Sequence, residues 1–195
     1  AKGPWYIALA LYNITGDIES AKAAPWIALC ATFLVIYSVL IDFGFRRYTS
    51  ILIAALLSFN PVSAFELASY LVDGLMISFL ACFVAAMFSW IRKQSKFTLW
   101  IMFASAVLFI NTKQTGLVYL CFAIAAGGMY VLLNKRKLVK KYISIQSAAL
   151  LCGVLVLGFN PYITNTIHRG NPFYPMLGSD QYPSLAAQGE KQKKK

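Results

Sequence analysis

Gly74-Leu-Met-Ile-Ser-Phe-Leu-Ala-Cys-Phe-Val-Ala-Ala-Met-Phe-Ser-Trp-Ile91 carries no charged residue, and Arg92-Lys93 follow it directly. An uncharged apolar run of this length suffices to cross a bilayer, whose hydrocarbon takes about 17–25 helical residues. The basic pair at its end marks the cytoplasmic side, because short cytoplasmic loops collect Lys and Arg. Working outward, the same rule holds in both directions. Pro25 to Phe45 is apolar and ends on Arg46-Arg47; Phe97 to Ile110 follows Lys96; Gly116 to Leu133 ends on Lys135-Arg136-Lys137; Tyr142 to Phe159 follows Lys140-Lys141. The outer gaps between spans hold one basic residue, Lys113, and past the last span Arg169 precedes the basic tail. The reading is an all-α, polytopic membrane bundle of about six transmembrane helices with short helices on the outer face.

Composition agrees with this. Hydrophobic residues make up 59% of the chain, charged residues 13%, and mean hydropathy is +0.63, where a soluble domain carries about 25% charged residues. The net charge of +11 reports topology and attraction to anionic headgroups rather than a nucleic-acid partner. Cys30, Cys82, Cys121 and Cys152 all lie inside apolar stretches with no metal-binding spacing. They are expected to be buried packing residues.

Three divisions follow. Residues 1–24 form an outer-face interfacial segment with Trp5, Tyr6 and Tyr12 suited to the lipid–water boundary. Residues 25–160 form the six-span membrane domain, in which Asp42 is expected to pair locally with Arg46 and Arg47. Residues 161–195 form an outer-face segment with Pro and Gly and a basic tail. The chain starts outside the membrane without Met, so it reads as a fragment of a longer membrane protein. The second span is irregular. Between the flanking basic clusters, Ile51 to Ile91 is only 41 residues, and two full spans consume nearly all of them. Asn60-Pro61 in the middle predicts a kink, followed by an outer helix running to Asp73. Broken backbone at membrane depth survives where protein or a water-filled cavity surrounds it.

Three polar strings fall on the outer side. In Asn60 to Gly74, helical spacing sets Glu66, Tyr70 and Asp73 on one face, either lining a cavity or capping a helix at the interface. In Asn111-Thr-Lys-Gln-Thr-Gly, expected to form a tight turn from Asn111 to Thr115, Lys113 is a point charge fit for a phosphate or a lysine reaching lipid phosphates. In Asn160 to Pro175, prolines at 161 and 172 oppose ordinary helix, and His168, Arg169, Asn171 and Tyr174 cluster. Arg169 suits bidentate phosphate binding, and the aromatics suit a sugar ring or an interfacial belt. Asp17-Ile18-Glu19 mimics a metal-binding pair, but its two acids diverge on a helix and a helix-start role is expected.

These strings, with Lys2-Gly-Pro-Trp-Tyr, Leu11-Tyr-Asn-Ile-Thr-Gly-Asp-Ile-Glu-Ser-Ala-Lys and Gly170-Asn-Pro-Phe-Tyr-Pro, resemble the C-type integral-membrane glycosyltransferases of bacteria. The branch is that of the protein O-mannosyltransferases and the lipid A aminoarabinose transferase. The resemblance covers most of residues 1–178. It implies an enzyme of the bacterial inner membrane and cell envelope that transfers a sugar from a polyprenyl-phosphate donor on the non-cytoplasmic face. Its partners are then the lipid-linked sugar donor and membrane lipids. The resemblance implies a catalytic acid in an outer loop before Ala1, so no catalytic residue is assigned here, no metal ligand or cofactor is named, and a divalent cation is left to the full-length protein. Lys113 and Arg169 are expected at the donor phosphate. Glu66, Tyr70, Asp73, His168, Asn171 and Tyr174 are expected in the sugar or acceptor pocket. A transporter or flippase of a lipid-linked sugar is the alternative. It uses the same broken span, although no repeated halves are visible.

Overall fold

The computed structural model describes residues 3–67, 69, 71–157 and 162–172, the side chain of Arg169 excepted. The described residues are helical, without strands. In chain order they form α1 (Gly3–Thr15), a 3-10 turn (Ile18–Lys22), α2 (Ala23–Asp42), α3 (Arg47–Ser58) and α4 (Pro61–Glu66). There follow α5 (Asp73–Lys93), α6 (Lys96–Thr112), α7 (Gln114–Asn134), a second 3-10 turn (Arg136–Leu138), α8 (Val139–Cys152) and α9 (Thr164–Arg169). A π-helical stretch, Gly153–Leu157, extends α8.

Apolar helices stand at all six expected span positions. Four segments are long and apolar enough to cross a membrane: Ile18–Asp42, Asp73–Lys93, Gln114–Asn134 and Arg136–Leu157. The chain is a multi-pass membrane protein. The other two helices, α3 and α6, are shorter. With 12 residues, α3 rises only about 18 Å of the roughly 30 Å hydrocarbon core.

The segment read from the sequence is central. More than half of the most apolar window of α5 is buried, 56%, against 22% for α7 and for α8. α5 packs between α2 and α6, and α6 in turn meets α7 and α8. Phe83, Ala86, Met87 and Trp90 of α5 face Met102, Ala106, Phe109 and Ile110 of α6 in a fully closed core. Small residues let the outer helices approach. A methyl at Gly127 would lie 2.5 Å from Met87 Sδ and 2.6 Å from the Tyr142 hydroxyl. That hydroxyl donates to Ile124 O at 2.8 Å. Thr32 Oγ1 likewise donates to Ser78 O of α5 at 3.3 Å as well as to its own helix. Such bonds hold helices together where lipid offers no hydrophobic drive.

The connections follow from local chemistry. Gly44 at φ +89° turns α2 into α3. Gln94 closes α5 in the left-handed region, and Ser95 Oγ accepts from Phe97 N at 3.2 Å to start α6. Asp42 pairs with Lys93 at 2.7 Å, across α2 and α5, rather than with Arg46 and Arg47. The Gly44 turn carries the chain away from Asp42, while the end of α5 arrives beside it; Arg92 stacks on Phe43 at 4.8 Å. The cysteines also differ from expectation. Only Cys82 is buried; Cys30 and Cys121 are exposed and Cys152 is intermediate. An exposed thiol on an apolar helix faces the lipid, which an apolar sequence context alone does not distinguish from core.

Candidate functional site

The end of the bundle opposite the Asp42–Lys93 pair gathers α4, the start of α5, the α6–α7 junction and α1. Asn60 starts α4 as its cap: its Oδ1 accepts from Ser63 N at 3.0 Å, its Nδ2 donates to Ser63 Oγ at 2.9 Å, and Pro61 occupies the first helical position. The helix stops at Glu66 and α5 starts at Asp73, so Glu66 and Asp73 share no helical face; Tyr70 lies outside the described residues. Two contacts end it. Ser69 Oγ donates to the Glu66 carbonyl at 3.1 Å. Glu66 is 5% exposed, and its carboxylate reaches across the following loop and accepts from Gly74 N at 2.6 Å. Glu66 therefore satisfies a free N–H of the first turn of α5, where negative charge is favourable. Gly74 allows the approach, because a Cβ there would sit 3.1 Å from Ser63 Cα and 3.2 Å from the carboxylate.

Asp73, the first residue of α5, accepts from Lys113 Nζ at 2.7 Å. Both side chains are nearly half exposed, 43% and 46%. The expected turn from Asn111 to Thr115 is helical except at Lys113, whose extended backbone (φ −151°, ψ 147°) is the whole break between α6 and α7. Asn111 is buried inside α6. Its Nδ2 donates to Val107 O at 2.8 Å and to Gly153 O at 2.9 Å, fastening α6 to the end of α8. Thr115 Oγ1 contacts Met76 Sδ at 3.9 Å, so α7 starts against α5.

Helix α1 covers part of this end. Gly3 comes so close to the Asn111 carbonyl that a Cβ would lie 2.7 Å from it. No residue of α1 is buried. Trp5, Leu9 and Tyr12 follow at helical spacing and, with Ile18, Glu19 and Ala21, line an apolar groove of about 640 Å³. Trp5, Ala8 and Ala21 also line a cleft of about 30 Å³ against Ser69, Leu71 and Val72, just before Asp73. This groove was missed in the sequence, although the i, i+4, i+7 spacing of Trp5, Leu9 and Tyr12 signals it. Asp17 has the expected helix-start role: its Oδ1 accepts from Glu19 N at 3.0 Å, and Glu19 pairs with Lys22.

Between the prolines at 161 and 172, Thr164–Arg169 nonetheless forms a short helix, ended by Gly170 at φ +65°. Tyr162 is buried and donates its hydroxyl to Ile110 O at 3.1 Å; burial pushes its phenol up to about 12. His168 is exposed and Asn171 half-buried. No hydrogen bond or ion pair joins His168 to Asp73 or Lys113 among the described residues. The structure thus joins Asp73 to Lys113 and sets Glu66 on the neighbouring Gly74. Tyr70, Tyr174 and the side chain of Arg169 lie outside the described residues. Among the described residues no group of three or more His, Cys, Asp or Glu is placed to hold a metal ion. Comparison of the chain with protein-family models, with curated proteins and with solved structures finds no match.

Proposed function

We propose that this chain is part of a bacterial inner-membrane glycosyltransferase that moves a sugar from a polyprenyl-phosphate donor to an acceptor on the non-cytoplasmic face. The observation that carries the reading is the Asp73–Lys113 pair at the same end of the bundle as the apolar groove of Trp5, Leu9 and Tyr12. A polyprenyl-phosphate donor combines those two characters, a long apolar chain and an anionic head.

A half-exposed ion pair contributes about 0–1 kcal/mol, so Lys113 moves from Asp73 to an arriving phosphate at small cost. The acceptor hydroxyl oxygen bonds to the anomeric carbon while the bond from that carbon to the phosphate oxygen breaks. The phosphate leaves with the electron pair, and Lys113 stabilises its charge. Asp73, beside Lys113, faces the sugar or acceptor. Glu66 acts from behind, by holding the start of α5 and with it Asp73. The base that takes the acceptor proton is not assigned to any residue of this chain.

The short α3, broken from α4 at Asn60, supports a second reading as a transporter or flippase, since discontinuous helices line transport sites. One experiment separates the two. The complete gene product is assayed in proteoliposomes with a labelled polyprenyl-phosphate sugar. Label in a covalent acceptor product supports transfer, and label that crosses the bilayer still lipid-linked supports transport. In the transfer assay Lys113→Ala is expected to lower turnover at least about tenfold more than Lys96→Ala, on the scale of a lost charge-stabilising donor. Equal effects of the two count against the proposal.

A further inference from the structure

The opposite, basic end of the bundle holds a groove unrelated to the site above. It has a volume of about 560 Å³ and lies between the end of α5 and the turn from α7 to α8, within the roughly 300–1,000 Å³ of ligand-sized clefts. From the turn it is lined by Lys135, Arg136 and Lys137, from α5 by Arg92, whose guanidinium lies over Phe43, and its apolar part is Ile91, Leu133 and Leu138. None of the four cations has a carboxylate partner among the described residues. The nearest acid at that end, Asp42, is held by Lys93, and the other described ion pairs join Lys22 to Glu19 and Lys113 to Asp73. The C-terminal ends of α5 and α7 offset part of this charge through their dipoles. The three cations of the turn, Lys135, Arg136 and Lys137, still exceed two partial charges, and they attract an anion.

We propose that this groove binds the phosphate of an anionic phospholipid headgroup, with the first carbons of its acyl chains against Ile91, Leu133 and Leu138. Position decides for a lipid rather than a soluble phosphate. Arg92 lies in the last turn of one membrane-length helix, and Lys135 follows another, so the groove sits at headgroup depth, where basic pockets between helices hold anionic heads. Leu132 and Leu133 are exposed beside it, 49% and 67%, so the groove opens onto the lipid-facing surface. Isolated lysines that merely reach separate headgroups would act independently of one another. A groove makes Arg136 and Lys137 act as a site that Lys96 and Lys140, basic but outside it, do not share.

The test is native mass spectrometry of the full chain in detergent, titrated with phosphatidylglycerol, phosphatidylcholine or inorganic phosphate. One phosphatidylglycerol is expected to be retained in preference to phosphatidylcholine. The double variant Arg136→Gln/Lys137→Gln is expected to lose about tenfold or more of that affinity, on the scale of two cations near an anionic surface. Lys96→Gln/Lys140→Gln removes the same charge and should leave the affinity within about twofold, as expected of cations outside the groove. Arg136→Lys/Lys137→Arg keeps both charges and should retain binding, which separates loss of the site from loss of the fold. The proposal is overturned by equal binding of the two lipids, by equal losses in the two neutralised variants, or by displacement of phosphatidylglycerol by inorganic phosphate at equal concentration.

Discussion

Glu66 shows how a residue's role depends on one partner. In the sequence it is an acid in an apolar chain, and cavity lining and helix capping are both open to it. The contact with Gly74 N selects the cap. Glu66→Ala leaves that N–H unpaired in a buried place, which costs about 1–3 kcal/mol. Thermal unfolding in detergent is expected to show a lower midpoint, with Glu66→Gln restoring most of it because an oxygen acceptor remains. An unchanged midpoint for Glu66→Ala would remove the cap. Lys113 behaves differently. Its pair with Asp73 is half exposed, so Lys113→Gln is expected to change stability by less than about 1 kcal/mol. A loss of activity on its substitution is then read as chemistry rather than as unfolding. The sequence shows which acid and which lysine are unusual. It does not show their partners, because Asp73 and Lys113 meet across forty residues and Glu66 meets Gly74 across a loop.

At the scale of elements, span positions were legible because apolarity and flanking charge are local properties. Lengths and breaks were not. The Asn60-Pro61 kink follows from cap chemistry visible in the sequence, and the structure has it. The early stop at Glu66 comes from a tertiary bond, and the single-residue break at Lys113 comes from α7 starting directly against α5. Close helix contacts give a second prediction. Gly127 faces Met87 and Tyr142 so closely that Gly127→Ala is overpacked, at about 1–3 kcal/mol. Its neighbour Gly128 has only Tyr142 Cε1 within reach, at 3.5 Å. Gly128→Ala should be neutral, or stabilising by about 0.5–1 kcal/mol from helix propensity. Unfolding midpoints of the two variants are expected to move apart, with Gly127→Ala the lower. Identical midpoints would show that α7 and α8 do not pack as described.

The molecule as a whole has two chemically distinct ends. At one, Arg92, Lys93, Lys135 to Lys137 and Lys141 collect; Lys141 lies over Trp90 at 5.5 Å and donates to Gln94 Oε1 at 3.2 Å. At the other, Asp73, Lys113, Glu66 and the groove of α1 collect. That separation follows from strict alternation of up and down helices, which the charge pattern anticipates and the contacts of α2, α5 and α8 at the basic end reproduce. The proposed transfer reaction, the proposed lipid groove and the assignment of inner and outer faces all use it. The direct measurement is labelling of single-cysteine variants, Lys113→Cys and Lys137→Cys, in a background with the four native cysteines replaced. A membrane-impermeant maleimide is applied to intact cells and then to permeabilised cells. The account predicts that Lys113→Cys is labelled in intact cells and Lys137→Cys only after permeabilisation; labelling of both from the same side would contradict it.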